Sequence, residues 1–172
     1  MTVTLRHPNA EEYAQWSAAQ LEAYVDELVA SGSMSREAAE EKGRRDAAEL
    51  LPEGLATPGQ LIFRMEADGQ AVGWLWLALR NPRAEAGVGF VYDIVVDEAL
   101  RGRGYGRAAM RLAEDEARRN GLHAIALNVS ASPRTRRRAP PRAPCCPSSA
   151  RRYFSTAPKP GSSTPHSGVP RS

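Results

Sequence analysis

From Leu100 to Met110 the chain reads LRGRGYGRAAM, with arginines at 101, 103 and 107 and glycines at 102, 104 and 106. Alternating glycines bare the backbone N–H groups, because no Cβ holds a ligand away, and they permit positive φ angles at which successive N–H groups point inward. Arg101, Arg103 and Arg107 can add charge-assisted bonds to phosphate oxygens. Residue type alone leaves three readings: a phosphate cradle, a solvated basic segment that grips nucleic acid, or a tight turn. Just upstream, Asp93 is the one charge in the apolar run GVGFVYDIVV. A carboxylate desolvated there has its pKa raised toward the range useful to a base. Its plainer reading is a carboxylate paired with an arginine or capping backbone groups.

The flanks decide what the loop is for. GVGFVYDIVV has the continuous apolar character of a central strand covered on both faces. RAAMRLAEDEARRN after the loop is amphipathic, with Met110, Ala113 and Ala117 on one face and Glu114 one turn before Arg118, and Asn120-Gly121 ends it. The glycines therefore lie between a buried strand and a helix N-terminus, whose unpaired N–H groups suit an anion. That places the phosphate cradle ahead of both alternatives. A dinucleotide fingerprint is excluded, because the glycines fall at alternate positions and no βαβ unit precedes them.

The rest of the chain supplies a scaffold. TVTLR reads as a short strand. Asn9 caps a helix whose apolar face carries Tyr13, Trp16, Leu21, Tyr24 and Leu28, and Ser35 caps a second, highly charged helix that stops at Pro52. QLIFRME and AVGWLWLAL flank Asp68-Gly69, a pair suited to a hairpin turn. HAIALNV is one more short buried strand, in which His123 has a structural role. Tyr24, Trp74 and Trp76 fit either the interior or the wall of an acceptor pocket.

Composition divides the chain at Ser130. Residues 1–130 hold 14 Lys and Arg against all 20 Asp and Glu, whereas residues 131–172 hold nine basic residues, no acid, and nine of the 13 prolines. The tail lacks Leu, Ile, Met and Trp, and such a segment buries too little apolar surface to offset its ordering entropy. It is expected to be disordered, and its abrupt onset leaves two readings, GC-rich coding sequence translated in a shifted frame or a natural basic tail. Nucleic acid would be attracted by the tail alone, in a salt-dependent way. Cys145 and Cys146 are adjacent in this tail, so neither a disulfide framework nor a metal site is expected. No signal segment and no apolar run long enough to span a membrane is seen, which makes the cytoplasm the expected compartment.

Residues 91–110, VYDIVVDEALRGRGYGRAAM, resemble the signature of the GCN5-related N-acetyltransferases (GNAT), in which the fourth strand leads into an Arg/Gln-x-x-Gly-x-Gly/Ala loop and a helix. Arg101, Gly104 and Gly106 match the three fixed positions. The order of elements over residues 1 to about 130 agrees. The resemblance implies an α+β fold with a mixed, mostly antiparallel sheet flanked by helices, the acyl-CoA N-acyltransferase fold. It implies acetyl-CoA as cosubstrate, its pyrophosphate on the amides of Arg101, Gly102, Arg103, Gly104, Tyr105 and Gly106, with Arg107 beside them. It also implies that the pantetheine arm pairs with Ile94, Val95 and Val96, that Val95 or Val96 donates to the thioester oxygen, and that a small-molecule or peptide amine is the acceptor. After the fifth strand this family continues with an Asn-x-x-Ala helix, a tyrosine that protonates the thiolate, and further strands. Pro140 and Pro141 stand where that tyrosine would be. The expectation is a fold incomplete at its C-terminus, its fifth strand an open edge, with impaired transfer or coenzyme A binding alone. The resemblance leaves the acceptor and the oligomeric state open.

Overall fold

The computed structural model describes residues 2–128, apart from Ser33, Asn81 and Ala84, together with a strand at 149–153. The elements run β1 (Val3–Arg6), α1 (Ala10–Ala30), α2 (Arg36–Leu50), β2 (Gln60–Ala67), β3 (Gln70–Ala78), β4 (Val88–Val96), α3 (Tyr105–Arg119), β5 (Ala124–Asn128) and β6 (Ser149–Tyr153). The strands form one sheet in chain order, β1-β2-β3-β4-β5-β6. Every pairing is antiparallel except β4 with β5. The α+β architecture and the central place of β4 agree with the sequence reading.

Local chemistry explains the boundaries. Asn9 accepts the Glu12 amide at 2.8 Å and the Glu12 carboxylate accepts the Asn9 amide at 2.9 Å, a reciprocal cap that opens α1. Ser35 Oγ accepts the Ala38 amide at 3.3 Å at the start of α2. Asp68 and Gly69, at φ 51° and 80°, form the left-handed pair that matches hairpin twist between β2 and β3. His123 donates its backbone N–H to the Gly87 carbonyl at 2.9 Å, holding the entry to β5 beside β4.

The two sheet faces are covered differently. On one, Tyr105, Ala109, Ala113 and Ala117 recur every fourth residue along α3 and pack on Phe63, Met65, Leu75, Leu77, Val91 and Ile125. The three alanines have no exposed surface, so α3 lies close to the strands and enlarging any of them would cost about 1–3 kcal/mol by overpacking. On the other face α1 stands off the sheet on bulky rings. Trp16 lies 5.7 Å from Trp74 and 5.5 Å from Trp76, centroid to centroid. Trp76 stacks on Tyr92 at 4.5 Å.

The far edge departs from the sequence reading. The backbone of β6 pairs with β5 from Ala124↔Tyr153 to Asn128↔Ser149, so β5 is not an open edge and this part of the tail is not unstructured. The composition argument missed it because an edge offers N–H and C=O groups to any extended segment, whatever its side chains. The rest of the region expected to be disordered, 131–148 and 154–172, lies outside the described residues, as do Cys145, Cys146, Pro140 and Pro141.

Candidate functional site

The site begins with a slip in β4. Trp76 pairs with Asp93 while Leu77 pairs with Val91, so Tyr92 is an extra residue without a partner in β3. A bulge of this kind turns two consecutive side chains to the same side. Val91 and Ile94 pack on the α3 side. Tyr92 stacks on Trp76 of the opposite face, and Asp93 receives a hydrogen bond from Gln20 of α1. Strict alternation would instead have carried Asp93 to the face of Val91, into the alanine-lined core.

Past the bulge, β4 also parts from β5. Their pairing runs from Val88↔Ala124 to Val91↔Leu127 and stops, although β4 continues to Val96. The edge of β4 beyond Val91 is therefore free of β5, and a cleft opens beside it. A cavity of about 410 Å³ there is lined by Ile94, Val95, Val96, Arg101, Gly102, Gly104, Tyr105 and Gly106, within the size range of small-molecule sites. Eight of the ten residues expected to hold the cofactor thus share one cavity wall. Arg103 and Arg107 are exposed on the same loop and first helical turn but do not line it.

The loop is built as an amide cradle. Gly102 and Gly104 have φ of 81° and 87°, where a Cβ is strained, and Gly104 caps α3 without any side-chain acceptor. The first α3 amide with an acceptor is that of Ala108, which bonds the Gly104 carbonyl at 3.1 Å. The Arg101 amide, expected in the cradle, is taken by the Glu98 carbonyl at 3.3 Å, whereas among the described residues the amides from Gly102 through Arg107 have no protein acceptor. Gly106 differs from the other two. It lies within α3, its φ is not positive, and a Cβ built on it meets no protein atom within 4 Å. Neither backbone conformation nor packing demands glycine there, and the open space belongs to the cleft. Arg101 points back to its own strand: Nε donates to the Val96 carbonyl at 3.1 Å and Nη1 lies 3.9 Å from Glu98. It pins the start of the loop to the end of β4, leaving only the remainder of its guanidinium for a ligand.

Asp93 stands on the other side of β4, half-buried beneath α1. Burial raises its carboxyl above the ordinary range, partly offset by hydrogen bonds from Gln20 and from the Ile94 amide. Among the described residues no arginine reaches it, and of the plainer reading the structure shows the backbone contact, from the Ile94 amide. Trp74 and Trp76 are half-buried in the ring layer beside it. Arg64 lies over Trp74 at 4.8 Å, and Trp76 Nε1 donates to Gln60 at 2.8 Å. Tyr24 is elsewhere, donating its hydroxyl to Asp46 at 2.9 Å between α1 and α2. Gln20 was not singled out from the sequence. Its signal is its place four residues after Trp16 and four before Tyr24, a polar residue on an aromatic helix face.

Comparison with known proteins places the chain in a family. The family model for the Acetyltransferase (GNAT) family matches residues 16–139. The uncharacterized N-acetyltransferase YycN of Bacillus subtilis is 30% identical over 141 residues, covering 80% of this chain and 88% of that one. The crystal structure of YycN superposes with a TM-score of 0.68 at 28% identity, over 76% of this chain and 83% of its own. The PaiA N-acetyltransferase of Thermoplasma acidophilum, solved in complex with coenzyme A, shares the fold at 17% identity and a TM-score of 0.50, over 76% and 81% of the two chains.

Proposed function

This chain belongs to the GNAT acetyltransferase family and is an acetyl-CoA-dependent N-acetyltransferase, and from that premise we propose which of its residues hold the cosubstrate and which move the proton. The amides of Gly102 through Arg107 hold the pyrophosphate at the α3 N-terminus, with Arg101, Arg103 and Arg107 supplying charge around it. The free edge of β4 at Ile94, Val95 and Val96 takes the pantetheine arm as a strand would take a neighbour. One observation carries this assignment: the cavity wall and the signature residues coincide. The bare Cβ position of Gly106 fits a ligand that approaches the backbone closely.

When bound, acetyl-CoA supplies the thioester carbonyl that the amine attacks. The chain's own tasks are then to orient, to remove a proton and to steady developing charge. Asp93 accepts the proton of the substrate ammonium, directly or through one water, since its raised pKa matches base work better than an ordinary aspartate would. The Val95 or Val96 amide donates toward the thioester oxygen. The acceptor, a small-molecule or peptide amine, comes from the α1 side, because Asp93 faces α1. No helix among the described residues is long and apolar enough to cross a membrane, and we place the reaction in the cytoplasm. The place of the family's thiolate-protonating tyrosine is taken by Pro140 and Pro141, which lie outside the described residues.

The test has two parts. Calorimetric titration with coenzyme A should show one site, lost when Gly104 and Gly106 are both replaced by valine. Release of free thiol from acetyl-CoA should follow on mixing with an amine panel comprising an alkyl monoamine, a diamine, tyramine and a short peptide with a free N-terminus. Absence of coenzyme A binding would sink the cleft assignment, and an unaltered rate in Asp93→Asn would remove the base.

A further inference from the structure

Gln20 reaches across from the middle of α1 to donate Nε2–H to Asp93 Oδ2, a contact between residues 73 positions apart. Among the described residues it is the sole side-chain donor to that carboxylate. Two neighbours on the same helix face hold it in place. Trp16, one turn before, is buried between Trp74 and Trp76, and Tyr24, one turn after, ties α1 to Asp46 of α2. The carboxylate is also held by the Ile94 amide, on the strand segment that lines the cleft. Asp93 is thus clamped between the acceptor-side helix and the cofactor-side strand.

We infer that Gln20 is a positioning residue for acetyl transfer: its carboxamide fixes the orientation of the Asp93 carboxylate, so that α1 sets how the proton acceptor is aimed. The inference rests on the proposed role of Asp93 as base. Two donors, Gln20 and the Ile94 amide, occupy part of a carboxylate's accepting capacity and leave lone pairs for the substrate ammonium. The groups facing Asp93 make Gln20 decisive. From β3 come Trp76, its register partner, and Trp74; from its own strand comes Tyr92, itself pushed up by burial; from α1 come Gln20 and Trp16. None of these is charged at neutral pH, and Arg64 of β2 is turned onto Trp74 and toward Asp97. With no cation among the described residues to hold the carboxylate charged, removing the Gln20 donor lets desolvation act with one opponent fewer.

The test uses the full chain. The Asp93 carboxyl carbon is followed by NMR against pH in the parent, in Gln20→Leu and in the isosteric Gln20→Glu, alongside kcat/KM against pH for the panel amine with the fastest turnover. Both variants should move the Asp93 midpoint to higher pH, and the acid limb of kcat/KM should move with it, while coenzyme A affinity stays at the parent value. In an Asp93→Asn background, Gln20→Leu should produce no further change in rate. A limb that stays put in both Gln20 variants while Asp93→Asn abolishes it would overturn the role of Gln20 and leave the base intact. An Asp93→Asn profile equal to the parent's would overturn the base and the inference with it.

Discussion

Replacing Gly106 with alanine should make the free protein more stable and leave coenzyme A binding intact, since the family signature accepts Gly or Ala at this position, whereas valine there should weaken the complex. Gly106 is the second residue of α3, at a φ that any residue adopts, and its added Cβ would meet no protein atom within 4 Å. Alanine in a helix is favoured over glycine by about 0.5–1 kcal/mol. For a chain of this size that corresponds to a rise in Tm of roughly 1–4 °C. Gly106 lines the cleft, and the larger, branched side chain of valine would hold a phosphate oxygen off the amides there. Loss of one charge-assisted bond costs about 1.5–3 kcal/mol, which is roughly a 10- to 150-fold weaker Kd for coenzyme A. Scanning calorimetry of the free protein and titration calorimetry with coenzyme A read the two effects separately. Gly104→Ala is the control: its φ of 87° makes the same methyl cost stability before any ligand is added. If Gly106→Val binds coenzyme A as tightly as the parent, or Gly106→Ala melts lower, the cradle has been put in the wrong place.

Arg101→Ala should cost little stability, about 0.5–1.5 kcal/mol for a single exposed-side hydrogen bond to Val96. It should nevertheless weaken coenzyme A binding by about tenfold, with Arg101→Lys recovering only part, since the ammonium lacks the fork that reaches both strand and ligand. Glu12 is held down at about 2 by Arg6 and by the Asn9 amide. The stability it contributes is complete above the ordinary value of 4.5 and is lost as pH falls toward 2, so melting temperatures of Glu12→Gln should vary less across that window than the parent's. Asp93 has the opposite sign: burial raises it, so its ionised form is tolerated less well in the folded chain than in the unfolded one. Asp93→Asn should melt higher than the parent at pH 8, the gap closing as pH falls below the Asp93 midpoint and vanishing below the ordinary carboxylate range. Acetyl transfer by the same variant should fall by about 10²- to 10⁴-fold.

The two sites of chemistry differ in how far the sequence discloses them. The setting of the proposed cradle could be read from RGRGYG because each requirement leaves a residue behind: a buried strand before it, an alanine stripe after it, and glycines at the positive φ angles of 102 and 104. The hairpin was legible for a similar reason, since Asp68-Gly69 takes a backbone geometry that few pairs accept. The β6 pairing was not legible, because a ladder is made by N–H and C=O groups that every non-proline residue carries, and composition says nothing about them.

The bulge at Tyr92 was hidden by the very feature that identified its strand. A run that is apolar on both faces has no period of two to break, so inserting one residue leaves no trace in the pattern. The consequence is nevertheless the largest in the site. By turning Tyr92 and Asp93 to the same side, the slip takes the carboxylate out of the alanine-lined core, sets it under α1 within reach of Gln20, and leaves Ile94 and Val96 packed toward α3. Beyond the same point, β4 loses β5 and its edge opens. On the assignment proposed above, one irregularity sets the proton acceptor Asp93 on one side of the strand and the opening for the acyl donor along its edge, so that amine and thioester are brought together at a single stretch of backbone.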